Sequence, residues 1–367
     1  MRGCSYRVAM ALLVLLGLSP CPAGAQELKE ESGFLRVKIG GRESRLEMLI
    51  VKPDGPGGKL PLALITHGKS PSGLRMSDMR AASYSGVARD LARRGWLAAV
   101  VVRHGFGQSD GPFRGEGVSC AAPDLAPRIA DDAREMEAAL GALRQRPDVD
   151  PERALAIGES AGGLAVMALA RERPPGLRGV VNVAGGLVLE ECAEKSRDAL
   201  VAAVAGWRGA GYPPQLWIYA QNDELFPPAT VDRMRSAALD GGGDIRFVEF
   251  NDIKPPEHLI FNRARMRWLP ELDNSLRAWK LPTWPAELAR TEFARLGLSE
   301  RAPVFERYFS MPGEKALAYS PSKGLFRYWF GAPTIEQARR NALQDCGKAA
   351  GDCLIALENN ARPKAEQ

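Results

Sequence analysis

Only three histidines, His67, His104 and His258, occur in the 367 residues. No Cys-x-x-Cys pair is present and no histidine stands beside a cysteine, which argues against a zinc site. Past residue 18 no apolar run is long enough to cross a bilayer, so a polytopic membrane protein is excluded. Charge of one sign is not in excess: 49 Lys and Arg face 44 Asp and Glu, intermixed along the chain. That balance gives no basic surface for nucleic acid. There is no internal repeat and no long polar low-complexity tract. A composition 45% apolar and 25% charged is that of an ordinary folded protein.

The first stretch reads as an export signal. Arg2 and Arg7 precede the apolar run Val8–Leu18, Pro20 breaks it, and Ala23-Gly24-Ala25 follows as a small-x-small cleavage site. An uncleaved anchor and lipid attachment at Cys21 are the minor alternatives. Removal of residues 1–25 takes two arginines and no acids, lowering the formal charge from +5 to +3. The mature chain keeps Cys120, Cys192, Cys346 and Cys353, an even number in an exported protein, which points to disulfides. Of three possible pairings, Cys346 with Cys353 is favoured by proximity, with glycines between them, leaving Cys120 with Cys192.

The remainder predicts an α/β fold. Short runs rich in Val, Ile, Leu and Ala alternate with helical patterns: strands at 34–39, 46–51, 62–66, 97–102, 153–157, 180–184, 216–220 and 245–250; helices at 79–94, 131–144, 161–172, 196–207, 228–239 and 262–280. This order specifies a mostly parallel, doubly wound sheet of about eight strands, buried on both faces. A linker around Pro282, Trp284 and Pro285 leads to a small α+β region. It holds a short helix at 286–297, a hairpin of 316–320 with 325–330, a helix at 334–349 with Thr334 as N-cap and Gln337 at capping-box spacing, and a last strand at 353–357. The expected division is 1–25 signal, 27–281 main domain and 282–367 cysteine-containing C-terminal region.

Chemistry concentrates at strand ends. Gly158-Glu159-Ser160-Ala161-Gly162 follows an apolar strand and opens an Ala-rich helix, the strand–turn–helix setting of a nucleophilic serine. A serine hydroxyl needs a base, and an imidazole titrates near neutrality. His258 is the histidine that follows the last strand of the series, in a proline-rich loop. The carboxylate that would orient it is Asp223, just past the strand 216–220, with Asp252, Glu224 and Glu257 as rivals. The order Ser160, Asp223, His258 is thereby set. Backbone amides of Lys69 and Ala161 are the candidate oxyanion donors. His67 is expected to brace its loop, and Arg103–Gly111 to serve as scaffold and pocket wall.

Together His67-Gly68, Arg103–Gly111, Gly158–Gly162, Asn222-Asp223 and His258 resemble the α/β-hydrolase superfamily over roughly residues 34–280. The dienelactone-hydrolase-like and acyl-peptidase-like members are most similar. Dienelactone hydrolases carry cysteine where Ser160 stands, so the resemblance implies architecture and not their substrate. About 30 residues between the strands ending at Ala184 and starting at Leu216 leave room for a small cap only. The C-terminal stretch is similar to small cysteine-paired modules of exported bacterial proteins.

The resemblance implies a serine hydrolase that cleaves a carboxylic ester, or an amide of a short peptide, through an acyl-enzyme. It implies no cofactor and no metal. An acyltransferase using the same triad, and a non-catalytic cell-envelope binding protein, are the alternatives. The expected location is the periplasm or the exterior.

Overall fold

The computed structural model describes residues 27–55, 57–69, 75–112, 118–254, 256–301 and 307–363. The export-signal reading of residues 1–25, Cys21 included, lies outside them.

The sheet is built outward from five strands that are almost wholly buried. β3 (Leu60–Thr66), β4 (Leu97–Val101), β5 (Val149–Glu159), β6 (Leu177–Val183) and β7 (Gln215–Ala220) carry the unbroken apolar runs. β1 (Leu28–Ile39) and β2 (Arg42–Pro53) form an antiparallel hairpin at one side, and β8 (Ile245–Phe250) closes the other. The order is β1-β2-β4-β3-β5-β6-β7-β8, with β2 antiparallel to β4 and every later pair parallel. This is the α/β-hydrolase fold.

Helices cover both faces, as strands without a polar side require. α1 (Ser85–Ala92) and α7 (Arg265–Ala278) contribute Val87, Leu91, Trp268 and Leu272 to one core. α2 (Ala126–Arg144) and α3 (Ala161–Glu172) bring Met136, Leu140, Val166 and Leu169 to the other. α4 (Ala193–Ala205) and α5 (Pro228–Asp240) extend that face toward β7. The expected helix over 79–94 is shorter. Ala81–Tyr84 is a 3-10 turn whose first amide, of Ala81, is taken by the buried Glu47 carboxylate at 2.8 Å. The expected helix over 262–280 is broken at Ala264 (φ −111°, ψ 27°) into α6 (Ile260–Arg263) and α7.

The C-terminal region has α8 (Ala286–Arg295), then a three-stranded antiparallel sheet in the order β10-β9-β11, with β9 Glu314–Ser320, β10 Leu325–Ala332 and β11 Leu354–Glu358. α9 (Ile335–Gly347) packs Ala338 and Ala342 on it. Thr334 Oγ1 accepts from Gln337 N–H at 3.3 Å, but the Gln337 side chain donates to Asn341 instead of returning to the cap. Only half of the capping box forms.

This region is fastened to α1 and α7 by buried ions. Arg94 Nε and Nη2 hold both oxygens of Asp273, at 2.6 and 2.8 Å, and the hydroxyls of Thr283 and Ser310 donate to the same carboxylate. Asp90 accepts from Gly313 N–H at 2.9 Å and from Arg265 at 2.6 Å. Both disulfides expected from the sequence are present, Cys120–Cys192 across 72 residues and Cys346–Cys353 across 7. Among the described residues no helix is long and apolar enough to cross a membrane.

Candidate active site

The serine sits on a strained turn whose flanking glycines leave no room for a side chain. Ser160 has φ 53° and ψ −123°, a backbone region that costs a residue with a Cβ about 1–3 kcal/mol. Its neighbours hold it there. Ser160 N–H donates to Val183 O at 2.9 Å, continuing the β5–β6 ladder, and its own carbonyl accepts from Leu164 and Gly186. A Cβ on Gly158 would lie 2.1 Å from Gly162 O, and one on Gly162 would lie 2.4 Å from His67 O. The glycines of Gly-x-Ser-x-Gly are thus required by backbone contact. The Ser160 side chain makes no cap bond to α3, so its hydroxyl is not spent as a helix cap.

Strand ends bring the other residues to the same rim. Asp223 follows β7 and is buried; its Oδ1 accepts from the amides of Leu225 and Phe226 at 2.9 and 3.3 Å. That fixes the carboxylate, and Oδ2 lies 2.8 Å from His258 Nδ1. An ionised carboxylate only accepts, so Nδ1 carries the proton and Nε2 is left as the basic nitrogen. Asn222 Nδ2 donates to Ile253 O at 3.0 Å, tying the histidine's loop to the aspartate's. Phe226 packs 5.5 Å from the imidazole, ring centre to ring centre. Of the rival carboxylates, Asp252 is exposed and paired with Arg267. Glu224 is exposed as well, and Glu257 makes no hydrogen bond to the imidazole.

Ser160 and His258 line one cavity of about 270 Å³, with Gly68, Lys69, Asp78, Tyr84, Glu159 and Arg263 among its other walls. Gly68 presses on the nucleophile: a Cβ there would lie 2.9 Å from Ser160 Cβ. Lys69 follows at once, and Ala161 is the first residue of α3. The two residues expected to supply oxyanion donors thus adjoin the site, Lys69 from the loop after Gly68 and Ala161 from the start of α3. The amide of Ala161 also carries the positive end of the helix dipole.

His67 is fully buried. Its Nε2 accepts from Arg103 N–H at 2.9 Å and its Nδ1 donates to Gly68 O at 2.7 Å. Burial, with the Arg103 charge beside it, lowers its pKa to about 3. It is a neutral brace, not a base. Residues 103–111 were expected on the pocket wall; none of them lines this cavity. They pack behind His67, where Arg103 donates to His67 O and His104 N–H donates to Glu135.

One residue of the site was not singled out in the sequence. Glu159, the variable position of the serine motif, is 5% exposed and lines the cavity. Tyr84 Oη donates to its Oε2 at 3.1 Å, while Oε1 has no partner among the described residues. Burial pushes its pKa up to about 7, against the pull of the His258 charge and the Tyr84 bond. An acid closing the run Ala154–Gly158 was a signal that it would be buried. Among the described residues no three His, Cys, Asp or Glu cluster to hold a metal ion.

Comparisons with known proteins find partial similarities. Residues 78–240 match the family model of serine aminopeptidases, S33, a span that includes Ser160 and Asp223 and stops short of His258. NocK of Nocardia uniformis subsp. tsuyamanensis, provisionally named an esterase, is 30% identical over 196 residues, which are 52% of this chain and 48% of NocK. The chain therefore matches about half the length of that relative. The apo form of esterase 2 from Thermogutta terrifontis is 18% identical, covering 70% of this chain and 96% of that one with a TM-score of 0.49. A CIB-like hydrolase of Thermoplasma acidophilum is 15% identical over 69% of this chain and all of the other, with a TM-score of 0.46. The fold is that of the α/β-hydrolases, and residues 78–240 are similar to the serine aminopeptidase model.

Proposed function

We propose that the protein is a serine hydrolase that cleaves carboxylic esters through an acyl-enzyme. The observation that carries this reading is the Asp223–His258 bond at 2.8 Å at the rim of the cavity where Ser160 stands on its strained turn. Ser160 Oγ attacks the carbonyl carbon as His258 Nε2 takes its proton. Asp223 holds the tautomer and stabilises the imidazolium. The amides of Lys69 and Ala161 receive the developing oxyanion, the alcohol leaves with the proton from His258, and water repeats the sequence to free the acid.

Amides of short peptides are the second substrate class, which the match to serine aminopeptidases supports. Residues 1–25 are read as an export signal, and the two disulfides support an oxidising destination, the periplasm or beyond. The test is Ser160→Ala against a p-nitrophenyl ester series, with fluorophosphonate labelling of the wild type. Turnover should vanish in the variant and the label should map to Ser160. Undiminished turnover in the variant would refute the mechanism.

A further inference from the structure

We propose that Glu159 is a positioning residue of the site, a second carboxyl that anchors the oxyanion loop through Tyr84 and steadies the His258 imidazolium as it forms. The proposal rests on the hydrolase reading above and adds to it a residue outside the triad.

The geometry ties three places together. Glu159 immediately precedes the nucleophile at the end of β5. Tyr84, at the end of the 3-10 turn before α1, donates to Glu159 Oε2 at 3.1 Å, and its ring lies 6.4 Å, centre to centre, from that of His67, whose Nδ1 donates to Gly68 O at 2.7 Å. Gly68 in turn rests on the Ser160 side chain and carries Lys69, whose amide is the loop-side oxyanion donor. A displacement of Tyr84 would therefore move an oxyanion donor relative to Ser160 Oγ. Hydrogen-bond donors act on a transition state only when held in place beforehand.

The second half concerns charge. Among the described residues this buried carboxyl has one bonded oxygen and one without a protein partner, and an unmet buried acceptor costs about 1–3 kcal/mol, so it adds little to stability. Glu159 interacts electrostatically with His258, and its ionised form favours the protonated imidazole. In the reaction Nε2 takes that proton as Ser160 attacks. The carboxylate is then worth more in the transition state than in the resting enzyme, which is the condition for raising kcat. The groups that share its surroundings are Tyr84 and His258, with Lys69, Asp78 and Arg263 on the cavity wall and Arg103 acting on Tyr84 from behind. Of these, Glu159 combines full burial with a pKa pushed up to about 7.

The experiment compares wild type, Glu159→Gln and Tyr84→Phe on p-nitrophenyl acetate from pH 5 to 9, with fluorophosphonate labelling of all three. Glutamine mimics the protonated carboxyl. At pH 8 E159Q should show kcat lower by about tenfold or more, with KM changed less than about twofold. The wild-type and E159Q profiles should converge below about pH 6, where the wild-type carboxyl is also protonated. Tyr84→Phe should lower kcat while KM holds, which keeps the test alive if E159Q does not fold. A wild-type to E159Q ratio independent of pH, or Y84F activity equal to wild type, would overturn the proposal while labelled Ser160 leaves the hydrolase reading standing. Absence of both label and turnover in the wild type would overturn the two together.

Discussion

His258 Nδ1 and Asp223 Oδ2 stand 2.8 Å apart although 35 residues separate them in the chain. The carboxylate arrives already held by two amides of its own turn, so the histidine binds to a fixed partner. Asp223→Asn keeps the shape and replaces an acceptor with an amide that turns the ring to the wrong tautomer. We expect kcat for ester hydrolysis to fall by about 10³- to 10⁴-fold with KM nearly constant. Steady-state kinetics on a p-nitrophenyl ester would decide it, and a loss confined to KM would count against the triad.

Gly158→Ala should be more damaging than its size suggests. The new methyl would meet backbone, Gly162 O at 2.1 Å, and backbone cannot swing aside. The elbow must open or the strand must shift, at a cost of roughly 3 kcal/mol or more. Thermal melting of purified protein would show a lowered midpoint, or soluble yield would fall; a variant that melts like the wild type would mean the turn is laxer than described.

Arg94 and Asp273 form a buried pair whose members cannot be removed singly without leaving the other unmatched. Asp273→Asn should cost about 3–5 kcal/mol at neutral pH. Burial alone would raise the Asp273 pKa, but Arg94 and the hydroxyls of Ser310 and Thr283 outweigh it and the net direction is down. A carboxyl depressed on folding contributes stability above its unfolded value, near 3.9, and loses it as pH falls through the lower folded value. The stability gap between wild type and D273N should therefore narrow below about pH 4, as urea titrations at stepped pH would reveal.

Cys120–Cys192 closes 72 residues, and loop-closure entropy puts its worth at about 4 kcal/mol, against about 2 kcal/mol for the 7-residue loop of Cys346–Cys353. Cys120→Ser with Cys192→Ser should lower the melting temperature more than the matching C-terminal pair of changes. Equal shifts would show that strain or residual structure in the unfolded chain, not loop length, governs both.

The parallel sheet was legible because its strands are buried on both faces and so read as unbroken apolar runs ending at Gly158, Ala184 and Ala220. Ser160 and Asp223 were legible because each stands just past a strand end, and His258 because it lies in the loop after the last strand of the series. What escaped was tertiary in origin. The 3-10 turn at Ala81–Tyr84 is set by Glu47, a carboxylate from β2 that no local pattern around residue 80 announces. The break at Ala264 lies inside a run whose spacing favours one continuous helix. Glu159 was passed over as the variable position of its motif, because sequence spacing does not show that Tyr84 lies across from it.

The buried ions that join Arg94, Asp273, Asp90 and Gly313 also decide what can be cut away. A recombinant fragment ending at Leu281 would keep Ser160, Asp223 and His258, yet it would strip Asp273 of two hydroxyls, Asp90 of an amide, and the Trp96 indole of the Pro282 carbonyl it donates to at 2.9 Å. Trimming to the minimal core would expose a raw, charged scar beneath α1 and α7, and the last eighty-odd residues travel with the main sheet as part of its foundation.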